Sequence, residues 1–355
     1  MLALLVADDV SWYGPATVTF PVQFPGDPFD RTRNDLRVRF LGERAEREER
    51  PAVFDPVLGA WRCTLYAQHG GRYRAILFRT VKEGKKGEPK EKDALVEPAE
   101  GIVELRLDDG LGIVRPGPRP DRLALDIGKP WVGIGADLGA TATPERIDAL
   151  ARAGANWVRL ALPDGPLDPD ALEPFGDAVS EAAKDGLWFT LAIPASASQA
   201  WRDYALARFG SSPRLAQWEA PADLADPLHR ATISTATPWS GLFENRPGPF
   251  LVRPDDPNRL RALKSLLDAS DWANWLTPRP WTVVGAKGVA ESDRLILVAE
   301  PGARLTGLPL AEGVYDLTTF DPATGGSTLG TVRVEHGAIA VPLPSERFFA
   351  LRRRP

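Results

Sequence analysis

Between Trp131 and Leu267 short apolar runs alternate with amphipathic, helix-forming runs, and this alternation constrains the fold more than any other feature of the chain. Residues 131–137 (WVGIGAD), 156–162 (NWVRLAL), 187–193 (LWFTLAI) and 215–219 (LAQWE) read as strands. The third is apolar almost throughout, as a parallel strand covered on both faces should be. Helices fall between them. Thr143 supplies an N-cap with Pro144 in the first turn; Ile147, Leu150 and Ala151 share a face, and Gly154 stops the helix. A second helix covers 175–184 and ends at the C-cap glycine Gly186, and a third covers 198–209 and closes at Gly210. Such units are right-handed crossovers and imply a parallel sheet or barrel. Farther on, 229–234 reads as a fifth strand, Thr237–Trp239 as a strand end, and 258–267 as a last helix with Leu260, Leu263 and Leu267 on one face. A complete (β/α)8 ring takes ~250 residues and commonly at least ~200. Residues 131–275 are too few for that. The expected centre is an incomplete (β/α)8-like barrel over residues 130–278, with room for four or five strands and a final one.

The flanks have period two. Val18, Phe20 and Val22; Leu36, Val38 and Phe40; Trp61, Cys63 and Leu65; and Tyr73, Ala75 and Leu77 alternate with polar residues, the pattern of an antiparallel β-sandwich over 1–115. Within it, 82–93 (KEGKKGEPKEKD) is a solvated hairpin tip or loop. The proline-rich 116–120 (PGPRP) opens a linker over 116–129. Period two returns over 279–355 (Leu295, Leu297; Val332, Val334; Phe348, Ala350), a second antiparallel β-sandwich with Arg352, Arg353 and Arg354 as a solvated tail. The fold class is thus α/β plus all-β.

Composition removes several functions. One cysteine, Cys63, and three histidines (His69, His229 and His336) leave no basis for a disulfide framework or a metal centre, and no cofactor is expected. A net charge of −5 gives no nucleic-acid footprint. No apolar run reaches the ~18–20 residues that cross a membrane. The opening MLALLVADD lacks a basic stretch and is not expected to be a signal peptide. No Gly-x-Ser-x-Gly, P-loop or His-Glu-x-x-His is present, and residues 133–137 do not complete a dinucleotide fingerprint. Nine of the eleven tryptophans lie between Trp131 and Trp281; indoles usually fill cores but also form platforms for sugar rings.

These residues resemble a family. The stretch 34–78, with 51–55 (PAVFD), Trp61-Arg62 and 70–73 (GGRY), looks like a β-sandwich module found ahead of glycoside-hydrolase barrels. The middle resembles a clan A glycoside-hydrolase barrel. The end, with Tyr315, 320–322 (FDP) and Gly325, is similar to the collagen-binding-type sandwich that closes such proteins. The resemblance implies that Arg159, ending the second barrel strand, braces catalytic carboxylates. In 218–223 (WEAPAD), Trp218 and Glu219 match the family's Trp-Glu; Ala222 stands at its Asn and Asp223 at its acid/base Glu. Residues 226–230 with Thr232 and Ser234 resemble the fifth strand, and Thr237–Trp239 the eighth, where a Trp lines the sugar site. The implied substrate-binding set is Arg159, Trp218, Glu219, His229 and Trp239, with Asp223 as the catalytic candidate. The seventh strand, which carries the nucleophilic Glu, has no room between Ser234 and Trp239.

Glycosidases place two carboxyl groups either side of the scissile bond, ~5–5.5 Å apart for retention and ~6.5–9.5 Å for inversion. Asp223 is one methylene shorter than Glu, and its partner would have to be relocated to Asp137, Asp164 or Glu244, each of which also reads as an ordinary surface or capping acid. Glu219 has a structural reading as the ion-pair partner of Arg159. The expected function is a glycoside-hydrolase-like, carbohydrate-associated protein with lost or strongly reduced catalysis. Its alternatives are an active glycosidase using Asp223 and a relocated carboxylate, and a non-catalytic adhesion or scaffold module. Carbohydrate is the expected partner. Open strand edges are an aggregation hazard, so the N-terminal sandwich, the 245–257 loop or a second copy of the chain should cover them. The resemblance implies an exported protein.

Overall fold

The computed structural model describes residues 16–22, 27–29, 35–43, 45, 47–56, 58–65, 71–85, 88–105, 114–116, 123–125, 130–165, 168, 172–210, 212, 214–220, 224, 237–244, 249–275, 278–291, 293–339 and 347–354. Strands β1 (Ala16–Phe20), β2 (Leu36–Gly42), β3 (Arg47–Pro51), β4 (Val53–Asp55), β5 (Ala60–Leu65), β6 (Gly71–Lys85) and β7 (Glu88–Leu105) form two antiparallel sheets, ordered β1–β5–β4 and β3–β2–β6–β7. Alternate residues meet between them: Leu36, Val38 and Phe40 of β2 and Tyr73, Ala75 and Leu77 of β6 share a core with Val18, Phe20, Trp61, Cys63 and Leu65. The charged run is a hairpin, as its alternating signs allow. The ladder with β2 ends at Arg79, while β6 and β7 stay paired out to Lys85 and Glu88.

A small antiparallel sheet follows, of β8 (Val114–Pro116), β9 (Leu123–Leu125) and β10 (Pro130–Trp131). Part of the expected linker is therefore packed structure. Leu125 joins Val114, Trp131, Trp157 and Ala216 in one apolar cluster.

The central sheet contains β11 (Ile134–Gly139), β12 (Trp157–Ala161), β13 (Trp188–Ala192), β14 (Leu215–Glu219), β15 (Thr237–Pro238) and β16 (Phe250–Val252), with α1 (Pro144–Arg152), α2 (Glu173–Lys184), α3 (Gln199–Phe209) and α4 (Pro257–Ser270) in the connections and after the last strand. Its order is β14–β13–β12–β11–β16–β15 and every neighbouring pair is parallel. The helix starts are mixed: Thr143 stands at the N-cap of α1 without a side-chain cap bond, Ser198 caps α3 by accepting from the Trp201 amide, and Asp256, not singled out in the sequence, caps α4 by accepting from the Arg259 amide. One face of the sheet is apolar. Ala136, Leu138, Val158, Leu160, Phe189, Leu191, Leu215, Trp218, Phe250 and Val252 pack with buried residues of all four helices. At 25 cal/mol per Å², each large side chain buried there contributes about 1.5–3 kcal/mol. The opposite face carries Gly135, Asp137, Trp157, Arg159, Trp188, Thr190, Gln217 and Glu219, by strand alternation and register. Gly135 permits that face to close up, since a Cβ there would lie 1.6 Å from the Trp157 carbonyl oxygen.

Two assignments change. Phe250–Val252, expected as loop, pairs with β11 and takes the place assigned to Thr237–Trp239, which moves one strand outward. Three apolar residues between prolines are too few to show a period. The expected fifth strand at 229–234 lies outside the described residues; among the described residues the sheet ends at β14 and β15 and does not close into a ring.

The last sheet is antiparallel throughout: β17 (Arg279–Val283), β18 (Ala286–Glu291), β19 (Arg294–Ala299), β22 (Arg347–Arg353), β20 (Gly313–Phe320) and β21 (Ser327–Val334), in that spatial order. Its central strands are buried on both faces. Leu295, Leu297, Phe349 and Leu351 enter one core with Leu305 and Leu308, while Ile296, Val298, Phe348 and Ala350 face the core that includes α4. The arginine tail is solvated, as expected, but belongs to the sheet: Arg352 and Arg353 lie exposed in β22, and Arg354 Nε reaches Asp316 at 2.7 Å.

Candidate functional site

The carboxyl ends of β11, β12 and β14 bring three charged side chains together. At the end of β11 the register with β12 breaks between Asp137 and Gly139. Gly139 takes a φ of +56°, which a glycine adopts without strain, and its amide donates to Asp137 Oδ1 at 2.8 Å. The Asp137 carboxylate thus ties its own turn and offers Oδ2 to Arg159 Nη1 at 2.7 Å. Arg159 stands opposite Asp137 in register, with Thr190 of β13 on its other side. From there the guanidinium crosses β13 to Glu219. Nε donates to Oε2 and Nη2 to Oε1, both at 2.7 Å, a two-pronged pairing. The crossing is possible because the β13 positions on this face, Thr190 and Ala192, are small.

The side chains of Arg159, Glu219 and Asp137 are 18%, 19% and 41% exposed. The hydrogen bonds that Arg159 donates to Glu219 hold its guanidinium charged well beyond the ordinary range, against the opposing effect of burial and with help from Asp137. Two carboxylates around one guanidinium leave the cluster with one formal negative charge.

Beneath this ionic layer lies a neutral polar one. Thr190 and Gln217 are neighbours in register, 0% and 1% exposed. Trp157 Nε1 donates to Thr190 Oγ1 at 2.9 Å, and Gln217 Oε1 is buried with no hydrogen-bond partner. Lower still, Trp131 and Trp188 meet edge to face at 6.0 Å, with the Arg214 guanidinium 4.5 Å from the centre of the Trp188 ring. The face therefore runs from an apolar base through a polar layer to charges at the rim.

The residues singled out in the sequence divide. Arg159 and Glu219 come together, joined by Asp137. Trp218 is fully buried on the helix side, facing away from the clasp, because it alternates with Gln217 and Glu219. Trp239 packs against Phe348 at 5.5 Å and Phe243 at 6.2 Å, with Arg259 stacked 4.6 Å from its ring centre; it lies at the seam with the last sheet, not beside Arg159. Asp164 accepts from the Ser196 hydroxyl and the Gly165 amide on an exposed turn. Asp223 and His229 lie outside the described residues. Thr190 and Gln217 were not singled out. Their signal was available: each is a lone polar residue inside an otherwise apolar strand core, which places it on a face that has something to bond. No group of three His, Cys, Asp or Glu suited to a metal ion occurs among the described residues.

No family model matches the chain, and no curated protein matches it. Similar solved structures include a β-glucuronidase from Parabacteroides merdae (11% identity, 57% of this chain and 26% of that one, TM-score 0.21). Others are a β-arabinopyranosidase (13%, 58% and 41%, 0.20) and a monomeric β-xylosidase from Caulobacter crescentus CB15 (12%, 61% and 60%, 0.19). All three are glycoside hydrolases. The likeness is slight in fold and in sequence, and the chain spans less than two thirds of the length of each.

Proposed function

We propose that the chain is a carbohydrate-binding protein of glycoside-hydrolase-like design in which catalysis is lost or strongly reduced. The observation that carries this reading is the Arg159 clasp. At the strand ends where a (β/α) barrel keeps its active site, both described carboxylates use their oxygens on Arg159 and, for Asp137, on the Gly139 amide. Neither is left to deliver a proton to a leaving group or to attack a sugar carbon, the two tasks that hydrolysis divides between a pair of acids. What the clasp does offer is a fixed array of charged acceptors and donors at a half-open rim, suited to sugar hydroxyls.

The sheet supports a barrel-like reading. Three strands, β12, β13 and β14, run in chain order to one side of β11 and the two last strands sit on its other side, the order of a ring cut open. The helices share one face, as in a barrel and unlike a doubly wound sheet. The strand that carries the nucleophile in the family has no counterpart in the sequence, and Asp223 is short for an acid/base held to ~1 Å.

The test is hydrolysis of a panel of aryl glycosides and polysaccharides by the wild type and by Asp223→Ala. The expected result is release no faster than the buffer blank from either protein. Turnover by the wild type that Asp223→Ala abolishes would establish the active-glycosidase alternative instead.

A further inference from the structure

The last sheet ends in two edges of different make. At one end β17 carries the exposed Arg279 and Pro280, a charge and a missing donor of the kind that keep a strand from pairing further. At the other end β21 has neither over 327–332 (STLGTV). All of that stretch but Val332 is exposed, and Leu329 is 81% exposed. The hydrogen bonds around the strand show which backbone groups face outward. The Asp321 amide donates to the Gly326 carbonyl, and the Arg354 amide donates to the Val314 carbonyl. Bonded and unbonded pairs alternate along an antiparallel ladder. Thr328, Gly330, Val332 and Val334 therefore direct their amides and carbonyls to β20, while Ser327, Leu329, Thr331 and Arg333 turn theirs away from the sheet. Glu335 is already bonded to Ala338, which ends the open stretch at Arg333.

These four outward residues have Gly330 at their midpoint, and that makes the edge complementary to itself. A second copy running antiparallel about a two-fold axis at Gly330 meets all four: Leu329 lies opposite Thr331 of the second copy and Ser327 opposite Arg333 of the second copy. Gly330 opposes itself at an unbonded pair, where strands come closest, and brings no side chain to the axis. The one charge on β21, Arg333, meets a serine and not another arginine. Leu329 stands diagonal to Leu329 of the second copy on the same face, within reach of it. We infer that β21 pairs with β21 of a second copy of this chain, joining two six-stranded sheets into one. Pairing through one shared edge closes at two copies, whereas β21 on β17 would continue into a fibre, which Arg279 and Pro280 oppose. The inference does not rest on the carbohydrate-binding reading.

The experiment is sedimentation equilibrium of the full chain over a wide concentration range, for the wild type and Leu329→Lys, together with mild oxidation of Gly330→Cys and Thr328→Cys. The wild type is expected to show a reversible monomer–dimer equilibrium. Leu329→Lys puts two ammonium groups on one face across the axis and should weaken dimerisation by about tenfold or more, with an unchanged melting temperature. A Cβ at Gly330 enters open space, and its counterpart Cα lies about 4.5 Å away across the axis, within disulfide reach. Gly330→Cys should therefore form a linked dimer. Thr328→Cys should not, since its counterpart lies about 14 Å along the strands. The native Cys63 is buried and does not compete. A wild type that is monomeric at every concentration overturns the inference and leaves the edge to a strand of another protein. A dimer that Leu329→Lys does not weaken overturns it, as does the absence of a link in Gly330→Cys or a link in Thr328→Cys that forms as readily. Should Gly330→Cys not fold, Leu329→Lys decides alone.

Discussion

Arg159 is the residue on which the centre of the molecule is most exposed to change. Removing one partner of a paired, buried charge costs 3–5 kcal/mol when burial is complete, because the charge left behind is uncompensated. With side chains about a fifth exposed, Arg159→Ala is expected to destabilise by about 2–4 kcal/mol in chemical denaturation, and Arg159→Lys to recover little of it, since an ammonium cannot bridge Asp137 and Glu219 at once. Asp185, at the carboxyl end of α2, makes the opposite case. Burial, followed by the Glu181 and Asp148 carboxylates, raises its pKa, while Lys184 and Arg152 oppose the shift only in part; its Oδ2 is buried and unpartnered. The native value lies above the unfolded one, so the charged form costs stability at neutral pH, and that cost disappears as pH falls through the native value. Asp185→Asn should therefore stabilise by about 0.3–1 kcal/mol at pH 7. The gain should vanish below about pH 3.9, where the unfolded carboxyl also takes up its proton; melting curves of both proteins from pH 3 to pH 8 check the sign.

Elements long enough to show a period were legible in the sequence. The four helices stand where the sequence placed them, and the strand cores around Val158, Leu191 and Trp218 where their apolar runs placed them. Those missed were short. Leu123–Leu125 and Phe250–Val252 owe their pairing to neighbours distant in the chain, which three residues cannot announce. The last sheet shows the other limit. Period two placed Leu295, Leu297, Phe348 and Ala350 inside, but their alternates Ile296, Val298, Phe349 and Leu351 are buried as well, because α4 covers one face and Leu305 and Leu308 the other, a fact of packing between elements that no single strand encodes. That makes α4 a joint between two sheets. Leu263→Ala, a fully buried α4 position, is expected to cost 2–5 kcal/mol; in hydrogen exchange the lost protection should appear in both the central and the last sheet. Tyr315 serves the last sheet alone: its hydroxyl donates to the Ala311 carbonyl at 2.9 Å. Tyr315→Phe should cost about 1 kcal/mol by the same denaturation assay.

At the scale of the molecule, the clasp was half legible. Arg159 and Glu219 were found through a family pattern and an ion-pair reading. Asp137 stood among several acids, and Thr190 and Gln217 emerged only when register placed them on one face. The aromatic chain from Tyr204 through Phe29 and Phe54 to Trp61, with ring centres 5.6–5.8 Å apart, ties the N-terminal sheets to α3. The N-terminal and last sheets thus pack against α3 and α4 on the helix side of the central sheet, opposite its polar face. The claim that this face holds a sugar without cleaving it is tested most directly by the Arg159 side-chain NMR signal, assigned through its loss in Arg159→Lys. It would be followed while a neutral oligosaccharide is added and reducing ends are counted in the same tube. A saturable shift of the Nε–H resonance with no new reducing ends is expected. A resonance that does not move, or reducing ends released faster than the blank, would contradict it.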